Sequence, residues 1–213
     1  MLRALSSGAS GMIAEQNYLD TIANNIANVN TTGFKKSRVE FQDLLSQTAR
    51  NPGAMMNQGT YQPVGVEYGL GVKTSATTRV FSQGSLMSTG RNLDVAIEGE
   101  GFFRVMQTDG TIAYTRDGSL QMDANGQLCT SDGLLIQPQI QIGNDAKSIT
   151  ITSDGNVSAT TGTNNEQQIL GQIQLVRFQN PSGLLSIGHN LFVETSASGT
   201  PQEDTPGQNG MGI

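Results

Sequence analysis

Residues 93–106, which read LDVAIEGEGFFRVM, contain the first clear β-strand pattern of the chain. Leu93, Val95 and Ile97 alternate with small or polar residues, which is the period-two pattern of a half-buried strand. The Gly-Glu-Gly run at 99–101 then bends the chain into the apolar residues 102–106. This pattern predicts that a β domain begins here.

Turn signals extend the β pattern beyond this stretch. Asp-Gly or Asn-Gly pairs, which suit hairpin turns with positive φ, occupy 109–110, 117–118, 125–126, 132–133 and 154–155. They predict strands of about four to five residues. The core candidates between these turns are Tyr114, Leu120, Met122, Leu128, Leu134 and Ile136. We predict one central, glycine-rich, all-β domain over residues 91–196.

The composition agrees with a turn-rich β protein and disfavours several classes. The 213 residues include 26 Gly and no Trp, and only 14% are charged. Twelve basic against 18 acidic residues give a net charge of −6, which disfavours nucleic acid as a partner. The single Cys129 cannot form an internal disulfide. The sequence contains neither a long apolar run nor a secretory signal.

The amino-terminal region carries a heptad pattern, with spacings that alternate between three and four residues. Its positions are Leu2, Leu5, Ala9, Met12, Gln16, Leu19, Ala23 and Ile26. The pattern predicts a helix within residues 1–32, and its narrow stripe favours packing against other helices. Amide hydrogen bonds from Asn24, Asn25 and Asn28 would then fix the register between helices.

Residues 33–90 read as a connecting segment. Gly33 is the natural break after the first helix, and Phe34 begins a stretch to Leu45 that predicts a second, short amphipathic helix. Residues 46–71 predict a long contact loop. The loop residues expected to make contacts are Met55, Met56, Tyr61, Pro63 and Tyr68. Residues 197–213, with two Pro and four Gly, predict a linker.

Few residues are candidates for catalysis or for binding a metal or cofactor. The only histidine, His189, lies in a turn, and Cys129 lies in an apparent strand, where a buried thiol is expected. Glu98 and Glu100 fit a solvated strand edge better than a catalytic pair. No phosphate loop or closely spaced metal-ligand set occurs in the sequence. We predict no enzyme activity, no cofactor, no metal and no small-molecule substrate.

Three stretches resemble the bacterial flagellar rod and hook protein family. Residues 22–35, IANNIANVNTTGFK, are similar to its amino-terminal signature. Residues 94–105, DVAIEGEGFFRV, together with AYTRDGS at 113–119 and NGQL at 125–128, resemble its shared β domain. SGTP at 198–201 and TPGQNG at 205–210 resemble its tail motif.

The resemblance implies a fold, a role and a set of partners. The fold would be mainly β with a long N-terminal α-helix that serves in assembly. The role would be that of a structural subunit which builds a helical tube across the periplasm and transmits torque. Residues 58–71 resemble the insertion of distal-rod subunits. The implied partners are copies of the chain itself, proximal rod proteins, the hook protein and the surrounding peptidoglycan-ring and outer-membrane-ring proteins. Export would use the flagellar type III apparatus without a cleaved signal.

The resemblance also implies a second heptad helix after the β domain, paired with the first. The sequence stops at Ile213 before such a segment, which predicts a shortened chain whose residues 1–32 lack that helix.

Other functions stay open at this point. A proximal rod or hook-type subunit of the same family is the nearest alternative. A carbohydrate-binding adhesive module with a helical oligomerisation segment is a second. A hydrolase that depends on His189 or on a carboxylate pair is a third.

Overall fold

The structure is a computed structural model that describes residues 2–53, 55–57, 60–61, 63–143, 145–161, 166–207 and 211–213. The chain divides into two compact units. The first comprises Met1–Val29 and Lys36–Val80, and the second comprises Asn30–Lys35 and Phe81–Ile213. Architecture that is mainly β with one long N-terminal helix confirms the predicted fold class.

The first unit begins with the predicted long helix, α1 (Leu2–Ala27). At its end, the amide of Asn28 donates to the Asn24 carbonyl at 3.2 Å, and the amide of Val29 donates to the Ile26 carbonyl at 3.1 Å. This tightening of the last turn is typical of a helix terminus. No helix in the described part of the chain is long and apolar enough to cross a membrane.

The rest of the first unit is a nested hairpin, residues 37–79, built from three successive antiparallel pairs. Its strands are β1 (Ser37–Asp43), β2 (Gln47–Arg50), β3 (Met55–Asn57), β4 (Thr60–Tyr61), β5 (Val66–Tyr68) and β6 (Val72–Arg79). β1 pairs with β6, β2 with β5 and β3 with β4.

Two predictions for this region are wrong. The segment from Phe34 to Leu45 does not form a short helix, because β1 occupies most of it and pairs with β6. That partner strand is rich in Thr, which favours strands, and it lies too far along the chain to enter a local pattern. Residues 46–71 are not a plain loop either, since they contain β2 to β5. β2 reads Gln-Thr-Ala-Arg, so no alternation of apolar and polar residues indicates this strand.

The second unit contains the remaining strands. They are β7 (Glu98–Gly99), β8 (Phe102–Met106), β9 (Ile112–Thr115), β10 (Gln121–Met122), β11 (Leu128–Cys129), β12 (Leu135–Gln137), β13 (Ala146–Ile151), β14 (Asn156–Thr161), β15 (Glu166–Gln172), β16 (Leu175–Arg177), β17 (Leu185–Gly188), β18 (Leu191–Val193), β19 (Gln202–Asp204) and β20 (Met211–Gly212). A short 3₁₀ turn, Pro181–Gly183, precedes β17.

The largest sheet has nine strands. Its main order is β10-β11-β12-β8-β9-β18-β17, and β16 also pairs with β8 and with β19. A second sheet has the order β13-β14-β15, and β7 pairs with β20. The predicted linker at 197–213 therefore needs correction, because β19 and β20 belong to this unit. Strands of two or three residues are too short to show a periodic pattern.

Two apolar clusters form the core of the second unit. The larger contains Ile97, Phe103, Val105, Ala113, Leu120, Leu128, Ile136, Ile140, Ile142, Val157, Ile173, Leu175 and Leu191. The smaller is mostly aromatic and contains Phe102, Tyr114, Val176, Phe178, Leu184 and Phe192. Adjacent residues Phe102 and Phe103 enter different clusters, as expected for neighbours on a strand. Of the core candidates, Met122 was wrongly predicted: it is 49% exposed.

One of the five turn dipeptides has a different purpose. The glycines of the other four have positive φ, as hairpin turns require. Gly118 instead meets the backbone of Val95, and a Cβ on it would lie 1.6 Å from the Val95 carbonyl oxygen. The amide of Val95 donates to the Gly118 carbonyl at 3.0 Å. Close backbone approach, not a turn, therefore requires glycine at this position.

Candidate assembly surface

One face of α1 docks on the nested hairpin through small and polar residues. Ala14 is buried, and the amide of Val72 donates to Ser10 Oγ at 3.3 Å. A Cβ on Gly71 would lie 2.2 Å from that same oxygen. The ring of Tyr18 meets that of Phe41 edge-on, with 6.4 Å between centroids. These contacts hold the helix against its own unit.

The opposite face of α1 carries the predicted heptad stripe, and it is exposed. Leu5, Met12, Leu19 and Ile26 are 69%, 71%, 61% and 66% exposed. The smaller members Ala9, Gln16 and Ala23 are exposed as well, whereas the side chain of Leu2 lies outside the described residues. From Leu5 to Ile26 the stripe is about 32 Å long at 1.5 Å per residue. Contiguous exposed apolar area of this kind marks an interaction surface.

Two of the three asparagines predicted to fix the register between helices form hydrogen bonds within this chain. Asn25 lies beside the start of β1: its Nδ2 donates to the Ser37 carbonyl at 2.8 Å, and its Oδ1 accepts from the Ser37 amide at 2.9 Å. These two bonds give Asn25 a role within its own chain, and the register role stays a prediction. Asn28 Nδ2 donates to the Asn24 carbonyl at 3.0 Å within the same chain. The side chain of Asn24 is exposed.

Gly33 and Phe34, also predicted to serve in assembly, lie in the second unit. Gly33 has φ +71°, and a Cβ on it would lie 2.8 Å from the Asp117 amide nitrogen. Asn190 Nδ2 donates to the Thr32 carbonyl at 2.9 Å. Gly33 thus serves intrachain packing, and its role in assembly stays a prediction. Phe34 is half-buried.

Two cationic side chains, Arg116 and Lys35, form hydrogen bonds near the segment 30–35. Arg116 is buried; its guanidinium donates to the Gly99 carbonyl and, at 3.3 Å, to Gln83 Oε1. It also lies 5.8 Å from the ring centroid of Phe102, a cation–π contact. Burial lowers the pKa of Arg116, and Glu100 partly opposes this effect. Sequence reasoning missed Arg116 as a structural residue, because nothing local shows that distant carbonyls surround it.

Lys35 is the second cation. Its Nζ donates to the Ser82 carbonyl at 2.8 Å. Burial, and then the positive charge of Arg116, lower the pKa of Lys35 to about 8. Both effects disfavour its charged form.

The predicted contact loop presents an apolar row within the nested hairpin. Val64, Val66, Tyr68 and Leu70 alternate along the chain and are 71%, 39%, 53% and 38% exposed. Pro63 is exposed too. Met55 and Met56 lie in β3 and Tyr61 in β4, but their side chains lie outside the described residues. In the sequence, Val64, Val66 and Leu70 alternate with Gly65, Glu67 and Gly69. This pattern could have added the three apolar residues to the predicted contact residues.

The environments of His189 and Cys129, the two candidate catalytic residues, differ. His189 is exposed, with its Nδ1 3.5 Å from an Asp132 carboxylate oxygen. Cys129 is buried as expected, and burial followed by the charge of Asp123 raises the pKa of its thiol. A raised pKa keeps the thiol protonated and unreactive. Within the described residues, no three His, Cys, Asp or Glu side chains are grouped to hold a metal ion.

Comparisons with known proteins match both the helix and the second unit, which is called the β unit below. Residues 5–35 match the family described as flagella basal body rod protein, and residues 96–159 match the flagellar hook protein FlgE/F/G D1 domain. The first match covers most of α1, and the second covers much of the larger core cluster.

Individual relatives match over much longer stretches. Flagellar basal-body rod protein FlgG of Borreliella burgdorferi is 50% identical over 214 residues, which cover 100% of this chain and 81% of that protein. The protein of the same name from Buchnera aphidicola subsp. Acyrthosiphon pisum is 46% identical over 213 residues, or 100% of this chain and 82% of the relative. Flagellar hook protein FlgE of Helicobacter mustelae is 50% identical over 138 residues, or 64% of this chain and 30% of the relative. Because the rod proteins match along its whole length, the chain belongs to the flagellar basal-body rod protein family.

Proposed function

We propose that this chain is a structural, non-catalytic subunit of the distal rod, which assembles with copies of itself into a helical tube and passes torque to the hook. One observation carries the proposal: α1 is docked on its own unit through one face and displays the apolar stripe on the other. A helix that packs only on its own chain would be expected to carry polar residues, and not an apolar stripe, on its exposed face.

The stripe is large enough to matter energetically. Leu5, Met12, Leu19 and Ile26 each keep about two thirds of their surface in water. Burying that remainder is worth about 1–2 kcal/mol per side chain, or about 4–8 kcal/mol for the four. The alternation of three and four residues suits neighbouring helices that cross at about 20°. Many such interfaces in parallel would resist twisting of the tube.

The nested hairpin supplies a second contact surface in this proposal. Val64, Val66, Tyr68 and Leu70 offer apolar area to a neighbouring subunit, together with the predicted contact residues of β3 and β4. Contacts at two separate surfaces would fix both the position and the orientation of each subunit. That property is expected of a stiff shaft.

The same proposal includes the location and the partners of the subunit. It would lie in the periplasm-spanning part of the basal body after type III export without a cleaved signal. Proximal rod proteins and the hook protein would adjoin it, and the peptidoglycan-ring and outer-membrane-ring proteins would surround it. The match to a hook protein over 64% of the chain supports a hook-type subunit as the alternative.

A charge in the stripe tests the assembly role. Ile26→Asp would place a carboxylate in the interface, where burial of an unpaired charge is strongly unfavourable. A strain whose only copy carries this variant should lose swimming and assembled rods. The purified variant should keep the circular dichroism and thermal unfolding of the β unit, because Ile26 is 66% exposed.

The matched control is Ile26→Leu, which keeps apolar bulk at the same site and should retain motility. Normal rods from the Ile26→Asp strain, seen by electron microscopy of basal bodies, would refute the role of the stripe. Full-length rods that lack only a hook would refute the distal position alone and favour the hook-type alternative.

A further inference from the structure

The second unit contains an open groove of about 440 Å³ that is not part of the assembly surfaces described above. Loop residues 90–93 line one side, and residues 146–149 of β13 line the other. The lining combines two cations (Arg91 and Lys147) and two neutral polar side chains (Asn92 and Ser148) with Gly90 and three apolar residues, Leu93, Ala146 and Ile149. This chemistry suits a ligand that has both an apolar part and negative charge.

β13 is an edge strand within the described part of the chain, since it pairs only with β14. In an antiparallel sheet, alternate residues of an edge strand point their N–H and C=O groups away from the partner. The groove therefore lies beside the open edge of β13, where the Ala146 amide already donates to the Gly143 carbonyl at 3.1 Å. Four residues of β13 line it, a length of about 13 Å at 3.3 Å per residue.

Lys147 is the extra residue of a β-bulge. Ala146 pairs with Thr161 and Ser148 pairs with Thr160, so Lys147 has no partner position on β14. Bulges at sheet edges re-aim side chains, and an edge lysine repels an identical edge. Two copies of β13 would bring Lys147 against Lys147. An acidic strand would turn that repulsion into attraction.

Arg91 is held in place on the other side of the groove. Its Nη2 donates to the Leu120 carbonyl at 3.3 Å, and its Nη1 lies 3.5 Å from Asp94 Oδ1. The side chain is still 53% exposed, and a guanidinium has five N–H donors. Donors remain for a ligand, although Asp94 offsets part of the charge.

We propose that this groove binds an extended acidic peptide segment of another protein, which adds to β13 as a further strand and places its carboxylates between Arg91 and Lys147. Backbone pairing gives affinity in this mode, and the alternate side chains give specificity. Charge complementarity selects an acidic segment, because one cation lines the groove on each side. The inference does not depend on rod assembly.

Two synthetic peptides test the proposal on the full chain labelled with ¹⁵N. Acetyl-Val-Glu-Val-Glu-Val-amide is the probe, and its counterpart with Gln in place of Glu is the neutral match. At low salt, the acidic peptide should shift the amide signals of residues 90–93 and 146–149 and slow hydrogen exchange in β13. Lys147→Gln and Arg91→Gln should each weaken its binding about tenfold, the effect of about 1.4 kcal/mol. Arg177→Gln, on β16, is the control and should leave binding unchanged.

Three results would overturn the proposal. Equal binding of the Gln peptide would show that charge is not recognised. Equal shifts from free glutarate, without slower exchange in β13, would show an anion site with no added strand. The absence of any shift from the acidic peptide at millimolar concentration would show that the groove takes no such segment.

Discussion

The two units use the same apolar residue types in opposite ways. In the second unit, Phe103, Val105 and Ile173 are fully hidden from solvent. In the first unit, the largest apolar side chains of α1 are mostly exposed. Among the described apolar residues of the whole first unit, only Ala14 and Val39 are buried. The β unit therefore has its own core, whereas the helix leaves its largest apolar side chains exposed. Under the proposed function, the same residue types serve folding in one unit and association in the other.

Truncation of one apolar side chain in each unit tests this contrast, and the largest effect is expected in the β unit. Phe103→Ala removes a fully buried ring from the larger core cluster and should cost about 3–5 kcal/mol of unfolding free energy. Leu19→Ala removes a side chain that is 61% exposed and should change it by less than about 0.5 kcal/mol. Urea unfolding of dilute protein, followed by circular dichroism, measures both.

Phe103→Leu, which retains much of the buried volume, is the control and should cost less than Phe103→Ala. If Leu19→Ala destabilised the dilute protein as much as Phe103→Ala, the stripe would already be packed in the single chain. The contrast between the units would then be false.

The same contrast explains how much of the structure the sequence could predict. Long periodic patterns are local, so the heptad spacing from Leu2 to Ile26 predicted α1, and the alternation around residues 93–106 predicted the β unit. The heptad also identified the exposed stripe, because a narrow apolar seam differs from the face that a helix shows to its own core.

Prediction failed where distant residues decide the structure. The local sequence of β1 predicted a short helix, but the segment pairs with the distant, Thr-rich β6. Strands as short as β19 show no periodic pattern. The intrachain contacts of Gly33 with Asp117 and of Asn25 with Ser37 were also missed, since they appear only in the folded chain. Tertiary contacts outweigh local propensity in such positions.

Asn25 offers a sharper test on the docked side of α1, with a smaller expected effect. Asn25→Ala removes both hydrogen bonds to Ser37 and should destabilise the contact between helix and hairpin by about 1–2 kcal/mol. Hydrogen exchange of the Ser37 amide should become about tenfold faster, or more. Asn24→Ala, which changes an exposed neighbour on the same helix, should leave that amide unaffected. Unchanged exchange in Asn25→Ala would mean that this asparagine is available to other subunits after all.

The smallest expected effect concerns Lys35, in the segment Asn30–Lys35 that belongs to the β unit. Its pKa falls from 10.5 to about 8 on folding, because of burial and the nearby Arg116. Below pH 8 Lys35 carries its proton in both the folded and the unfolded chain. The partly buried charge then lowers the free energy of unfolding by its full amount. Between pH 8 and 10.5 the unfolded chain binds more protons than the folded one, and the free energy of unfolding gains an increment that rises with pH.

Lys35→Gln removes this increment and keeps a donor for the Ser82 carbonyl. Chemical unfolding at several values between pH 7 and 10 should show that the stability of the wild-type protein, relative to this variant, increases with pH. The increase is modest, because Lys35 is only half-buried and solvent screens its charge. Lys36→Gln, which alters the exposed neighbour and keeps Lys35, should retain the wild-type slope. Parallel curves for wild type and Lys35→Gln would mean that the amine stays solvated, and that the segment 30–35 docks on the β unit through Gly33 and Thr32 without burying charge.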